Sequence, residues 1–211
     1  MPGPPPSLLA VVAGLATALL LVACEPVEEA VTNDEAPEAA GDAVVRDDLE
    51  GILDTTDVPA QEWDEDARVV DLSVRLVDDT PRAARVTYLA PDADRLLVID
   101  VGEDGLEEEQ PTFETLGFEP VPASAVGDVA PVPEGLVEPT EVADDAAEAI
   151  EECGLDGIRE VLYATGAPAA WDGSQWTSAP EWTVTVLDED GAGVVLDAAG
   201  EPTAEPCITV P

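Results

Sequence analysis

Val70-Asp-Leu-Ser-Val-Arg-Leu76 decides the fold. Val70, Leu72, Val74 and Leu76 alternate with Asp71, Ser73 and Arg75, which is the period of a strand with one face in a core and one toward water. Two further strands follow. Ala84-Arg-Val-Thr-Tyr-Leu89 turns through Pro91-Asp-Ala-Asp94 into Arg95-Leu-Leu-Val-Ile-Asp-Val101, where Leu97, Ile99 and Val101 face one way. Upstream, Asp42 is placed to cap a short helix with Val45, Leu49, Ile52 and Leu53 on one face, and a loop containing Trp63 joins it to the first strand. Helix and antiparallel strands in this order predict an α+β unit over residues 42–110.

The pattern recurs downstream. Thr140 is a possible N-cap, and Glu141, Asp144 and Asp145 lie where carboxylates suit a helix dipole. Val142, Ala146, Ala149, Ile150 and Cys153 form an apolar stripe that Gly154 ends. Strands follow at Ile158 to Ala164 and at Trp182-Thr-Val-Thr-Val-Leu187. Asp188-Glu-Asp-Gly-Ala-Gly193 then turns into Val194-Val-Leu-Asp197, a hairpin. Residues 140–211 therefore form a second α+β unit, and the Pro- and Glu-rich residues 111–139 read as a connector. The expected architecture is two helix-on-antiparallel-sheet units in tandem.

Glu62-Trp-Asp-Glu-Asp-Ala-Arg-Val-Val70 leading into a strand, and Glu181-Trp-Thr-Val-Thr-Val186 with Val194-Val-Leu-Asp-Ala-Ala-Gly200, resemble the small exported modules called PepSY-like. The resemblance covers about half of the chain after residue 23. It implies a binding or regulatory module outside the membrane with no inherited active site.

The N-terminus supplies an address. Leu8 to Ala23 is apolar apart from Thr17 and, at sixteen residues, is shorter than a spanning helix needs. It has the length of a signal-peptide apolar region. Its end, Leu21-Val-Ala-Cys24, resembles the bacterial lipobox, which implies cleavage before Cys24 and acylation of its thiol, for instance with palmitate. The stretch before Leu8 departs from that pattern in having no Lys or Arg. Residues 1–23 are thus an expected signal peptide, and 24–41 an acidic, Pro-containing tether that repels itself. The expected location is the membrane surface outside the cytoplasm, held by covalent lipid.

Composition excludes much. The chain carries 48 Asp and Glu against seven cations, a net charge of −41, with no histidine. All seven cations are arginine. Phosphate binding needs a basic face, so nucleic acid is excluded as a partner. The acids are spread along the chain, which fits a hydrated surface adapted to high salt; capture of cations is the alternative reading. Without histidine there is no Ser-His-Asp triad and no histidine zinc site. Without lysine there is no Walker A motif and no Schiff base. A hydrolase working through two carboxylates remains formally open, but with this many acids a pair at any spacing arises by chance.

Asp188 and Asp190 fit positions 1 and 3 of a calcium loop and Gly193 fits position 6, yet Ala192 and Ala199 stand where ligands are required. Neither a metal nor a cofactor is expected. Cys153 and Cys207 form an even pair in an exported chain, and a disulfide is expected between them. Closing that loop is worth about 4 kcal/mol in the chain-entropy model. Trp182 belongs to a strand and its core. Trp171 and Trp176, around Asp172-Gly-Ser-Gln, either cover the end of a core or grip a partner, and their loop together with the sheet edge is the candidate contact surface. The expected function is a non-catalytic binding or assembly module of the cell envelope with a protein partner.

Overall fold

The structure, a computed structural model, describes residues 48–210. Cys24, the tether and the Asp42 cap lie outside the described residues. None of the described helices is long and apolar enough to cross a membrane.

The first helix, α1, runs Leu49–Trp63 and is capped by Asp48, whose carboxylate accepts the Gly51 N–H at 2.6 Å. Trp63 is therefore the last helical residue and not part of a loop. The stretch Thr55-Thr-Asp-Val-Pro59 has poor helix propensity, but Leu49, Ile52, Thr56 and Ala60 fall on one buried stripe. Burial overrides propensity here. The Thr55 and Thr56 hydroxyls also donate back to the Gly51 and Ile52 carbonyls of the preceding turn.

Four strands follow: β1 Arg68–Val77, β2 Thr80–Leu89, β3 Leu96–Gly102 and β4 Gly105–Glu109. Asp78 and Asp79 both hold positive φ, as a two-residue hairpin turn matched to sheet twist requires. After two single-turn helices, α2 Phe113–Leu116 and α3 Ala123–Val126, come α4 Val142–Asp145 and α5 Ala147–Cys153. The expected second helix is thus interrupted at Ala146, and Thr140 sits exposed in a turn without capping it. Its apolar stripe nevertheless packs as expected, and Gly154 ends α5 in the left-handed conformation. The last four strands are β5 Glu160–Ala164, β6 Thr183–Leu187, β7 Ala192–Asp197 and β8 Pro202–Thr209.

All eight strands form one antiparallel sheet in the order β4-β3-β2-β1-β5-β6-β7-β8. The fold is α+β. Each half contributes a four-stranded meander, and the two meet where Asp71–Arg75 of β1 pairs with Glu160–Ala164 of β5. β4 and β8, the outermost strands, are the two that the sequence pattern did not reveal. β4 carries Glu107, Glu108 and Glu109, and β8 carries Pro202 and Pro206. Charge and proline are the features that keep an exposed edge from recruiting another strand.

The sheet's two faces are covered differently. One packs against α1, α4 and α5 and holds the main core, including Ile52, Val74, Val86, Ile99, Val161, Val184 and Leu196. Both tyrosines are sealed in it. The Tyr88 hydroxyl lies 2.7 Å from Thr56 Oγ1 of α1, and the Tyr163 hydroxyl donates to the Val137 carbonyl at 3.0 Å. Burial pushes Tyr88 up to about 12 and raises Tyr163 further. Cys153 of α5 and Cys207 of β8 are joined in a disulfide with Cα atoms 5.3 Å apart.

The segment 111–139 is packed along much of its length. Phe113, Val121, Ala125, Val126 and Val129 cover one end of the second face, over Val70, Leu89, Leu96 and Val98. The chain then rounds the sheet to the first face, where Leu136 and Val137 enter the main core. Glu138 follows, and its carboxylate accepts the Leu49 N–H of α1 at 2.9 Å. Burial raises the Glu138 pKa against the opposing effect of that bond.

Candidate binding surface

A bulge in β1 organises the second face. The β1–β2 register slips between Val69 and Asp71, leaving Val70 unpaired with β2. An extra residue in one strand turns its side chains relative to the regular alternation, and Val70 enters the small second cluster. The bulge carbonyl is not wasted: Val70 O accepts the Thr165 N–H at 2.9 Å and the Thr165 hydroxyl at 3.1 Å. Thr165 in turn begins the loop that carries the tryptophan hairpin.

Beyond this point the second face is uncovered. The registers place Asp100, Arg85, Ser73, Leu162, Thr185 and Val195 in one row across six strands, and each is only half-buried. Arg85 grips Asp100 with two parallel bonds, Nε to Oδ1 at 2.7 Å and Nη2 to Oδ2 at 2.9 Å. That bidentate pair raises the Arg85 pKa, chiefly through the hydrogen bond itself. In the neighbouring row Asp71 stands between Thr87 and Ala164. Burial, reinforced by Glu160 and partly offset by Arg85, pushes its carboxyl up to about 7. The face is therefore a mixture of half-exposed apolar, hydroxyl and charged groups, with one fixed ion pair and one carboxyl that titrates near neutrality.

Trp171 and Trp176 stand at the covered end. They pair across an isolated bridge, with ring centroids 5.2 Å apart and planes at 68°. Between them Asp172 Oδ1 accepts from the backbone of Ser174 and Gln175 and from the Ser174 hydroxyl, which shapes the turn and lowers the Asp172 pKa. Both rings are half-buried against the second cluster. Their indole nitrogens are buried and neither finds an acceptor. Trp182 differs: its Nε1 donates to the Ala130 carbonyl at 3.0 Å and its ring lies in the main core.

The Asp188 turn is built from its own backbone. Asp188 Oδ1 accepts the Asp190 and Ala192 N–H groups, each at 2.9 Å, and Oδ2 accepts that of Asp156 at 3.3 Å. Its carboxylate thus serves as a turn organiser.

Sequence reasoning singled out the tryptophans and the cysteine pair but not the open row. The signal was present, since Asp71, Ser73 and Arg75 are the water-side members of the first alternation, yet pairing Arg85 with Asp100 requires a register. Comparison of the chain with family models, curated proteins and solved structures finds no match.

Proposed function

We propose that this chain is an exported lipoprotein, held at the membrane surface through Cys24, whose folded part is a non-catalytic binding or assembly module of the cell envelope. Its contact surface is the open second face of the sheet, from the Arg85–Asp100 pair to Val195, with the Trp171–Trp176 hairpin at one end. The single observation that carries this reading is that half-exposed row of side chains, which nothing in the chain covers among the described residues. A sheet face bearing Leu162 and Val195 beside hydroxyl and charged groups has the mixed character of a protein contact surface. The sheet edges, guarded by three glutamates and two prolines, are poorer places for a partner.

The address rests on Leu21-Val-Ala-Cys24 after an apolar run, and the Cys153–Cys207 bond suits an oxidising compartment. We read the two helix-plus-meander halves as tandem copies of one unit, as the resemblance to PepSY-like modules implies, fused edge to edge at β1 and β5. A second unit doubles the width of the face that one unit alone offers.

Intact mass and membrane partition test the address. The native protein should lose residues 1–23, gain a lipid increment and sediment with membranes, and Cys24→Ala should lose both the increment and the sedimentation. A soluble, unlipidated native product contradicts the anchor. Leu162→Arg tests the surface: the variant should melt as the parent does yet recover fewer envelope proteins after mild cross-linking. Equal recovery from both proteins contradicts the assignment.

A further inference from the structure

β8 is held to the sheet differently from the other strands. Like β4 at the other edge it has no buried residue, but its ladder is broken. Its regular pairing with β7 is confined to Thr209, Ile208 and Cys207 opposite Ala192, Gly193 and Val194; Pro202 next meets Leu196, so residues 203–206 lie opposite Val195 alone. Pro202 and Pro206 have no N–H to give a ladder. Beyond that pairing it is held by the Thr203 hydroxyl bond to the Val195 carbonyl at 3.1 Å, the Val210 N–H bond to the Gly191 carbonyl at 2.7 Å, the Asp197 N–H bond to the Glu201 carbonyl at 2.8 Å just before the strand, and the covalent link to α5. Beneath β8, in contrast, Val194 and Leu196 of β7 are fully buried. Cys207 is exposed and Cys153 is half-exposed, so the bond is open to an attacking thiolate.

We propose that Cys153–Cys207 is a thiol-exchangeable clamp on an edge strand, and that its reduction releases β8 while the remaining seven strands stay folded. The reductant is a dithiol. Its thiolate attacks one sulfur and forms a mixed disulfide as the other cysteine leaves as thiolate. Its second thiol then closes the carrier's own disulfide and frees the first cysteine, so two electrons and two protons pass to the protein. Released, β8 uncovers the backbone of β7 and replaces a proline-guarded edge with a bare one. The clamp acts at the β7–β8 edge, where Val195 ends the open row, while the Arg85–Asp100 pair lies toward the other edge of the sheet.

The full chain in detergent, oxidised or treated with a water-soluble dithiol, is compared by hydrogen–deuterium exchange and mass spectrometry. Reduction should accelerate exchange at least tenfold in peptides covering 192–197 and 202–209 and leave those of β1, β2, β3 and β5 unchanged. Unchanged exchange in β8 would show that its few bonds suffice without the clamp. Acceleration of all strands together would show a staple of the whole fold. Either result overturns the proposal. A Cys153→Ser/Cys207→Ser chain, if it folds, should reproduce the reduced pattern with no dithiol present; an oxidised-like pattern there counts against it.

Discussion

On the helix-covered face both tyrosines are buried to the hydroxyl and both hydroxyls have partners. On the opposite face two tryptophans are half-exposed and neither indole nitrogen has one. The same strands build both faces, so the difference lies in what lies over them. Along β1, Leu72 and Val74 are sealed by helices while Ser73 and Arg75 look outward. A face that is closed in every polar detail specifies a core. One with loose polar ends and a fixed ion pair is free to contact something else.

The difference should appear first in truncations. Ile52→Ala removes a side chain with no exposure from the sealed face and should cost about 3 kcal/mol, read from urea unfolding at constant salt. Leu162→Ala, on the open face, should cost under about 1 kcal/mol because half-exposed carbon returns little on burial. Similar losses at the two sites would mean that the second face is as well covered as the first.

Acidity gives the next effect. Asp71 has its folded pKa raised to about 7 from 3.8 by burial and by Glu160, with Arg85 opposing. The fold therefore favours the protonated carboxyl. That stability is fully present below about pH 4 and is lost as pH rises through 7. Between pH 4 and pH 8 the parent should lose about 2 kcal/mol relative to Asp71→Asn, roughly half the full shift because solvent reaches the residue's rim. Parallel pH curves for the two proteins would place Asp71 in open water.

Indole nitrogens give the smallest contrast. Trp182→Phe removes a bond to a core carbonyl and leaves Ala130 O without that donor, so it should destabilise by about 1 kcal/mol. Trp176→Phe removes a buried donor that satisfies nothing, and thermal melting should show a change within about 0.5 kcal/mol of zero or a slight gain. A clear loss there would reveal an acceptor for Trp176.

Which of these features the sequence announces follows from how local their causes are. The alternation in β1 from Leu72 to Leu76, the β6–β7 hairpin and the stripe from Val142 to Cys153 each depend on neighbours within a few residues and are where the pattern places them, whereas the bulge at Val70 turns that residue to the other face. Cys153 and Cys207 could be paired because only one even pairing remained after Cys24 was set aside. α1 hid its length because Thr55 to Pro59 disfavours helix, and only burial against the sheet reverses that. β4 and β8 hid because an edge strand needs no apolar alternation. The segment 111–139 reads as a connector because its apolar residues, from Phe113 to Val137, follow no period; Phe113 to Val129 pack on one end of the second face, and Leu136 and Val137 enter the main core. The open row was the least legible, since it exists only through pairings such as Ser73 with Leu162, between strands of different halves.

The most direct test of the account places a photo-cross-linking amino acid at Leu162, on the open face, or at Val58, which is 64% exposed on the outer side of α1, in cells making the full chain. The account predicts a discrete protein adduct from position 162 and none from 58. Adducts from 58 alone, or equally from both, would contradict the claim that the uncovered face of the sheet is where this protein meets its partner.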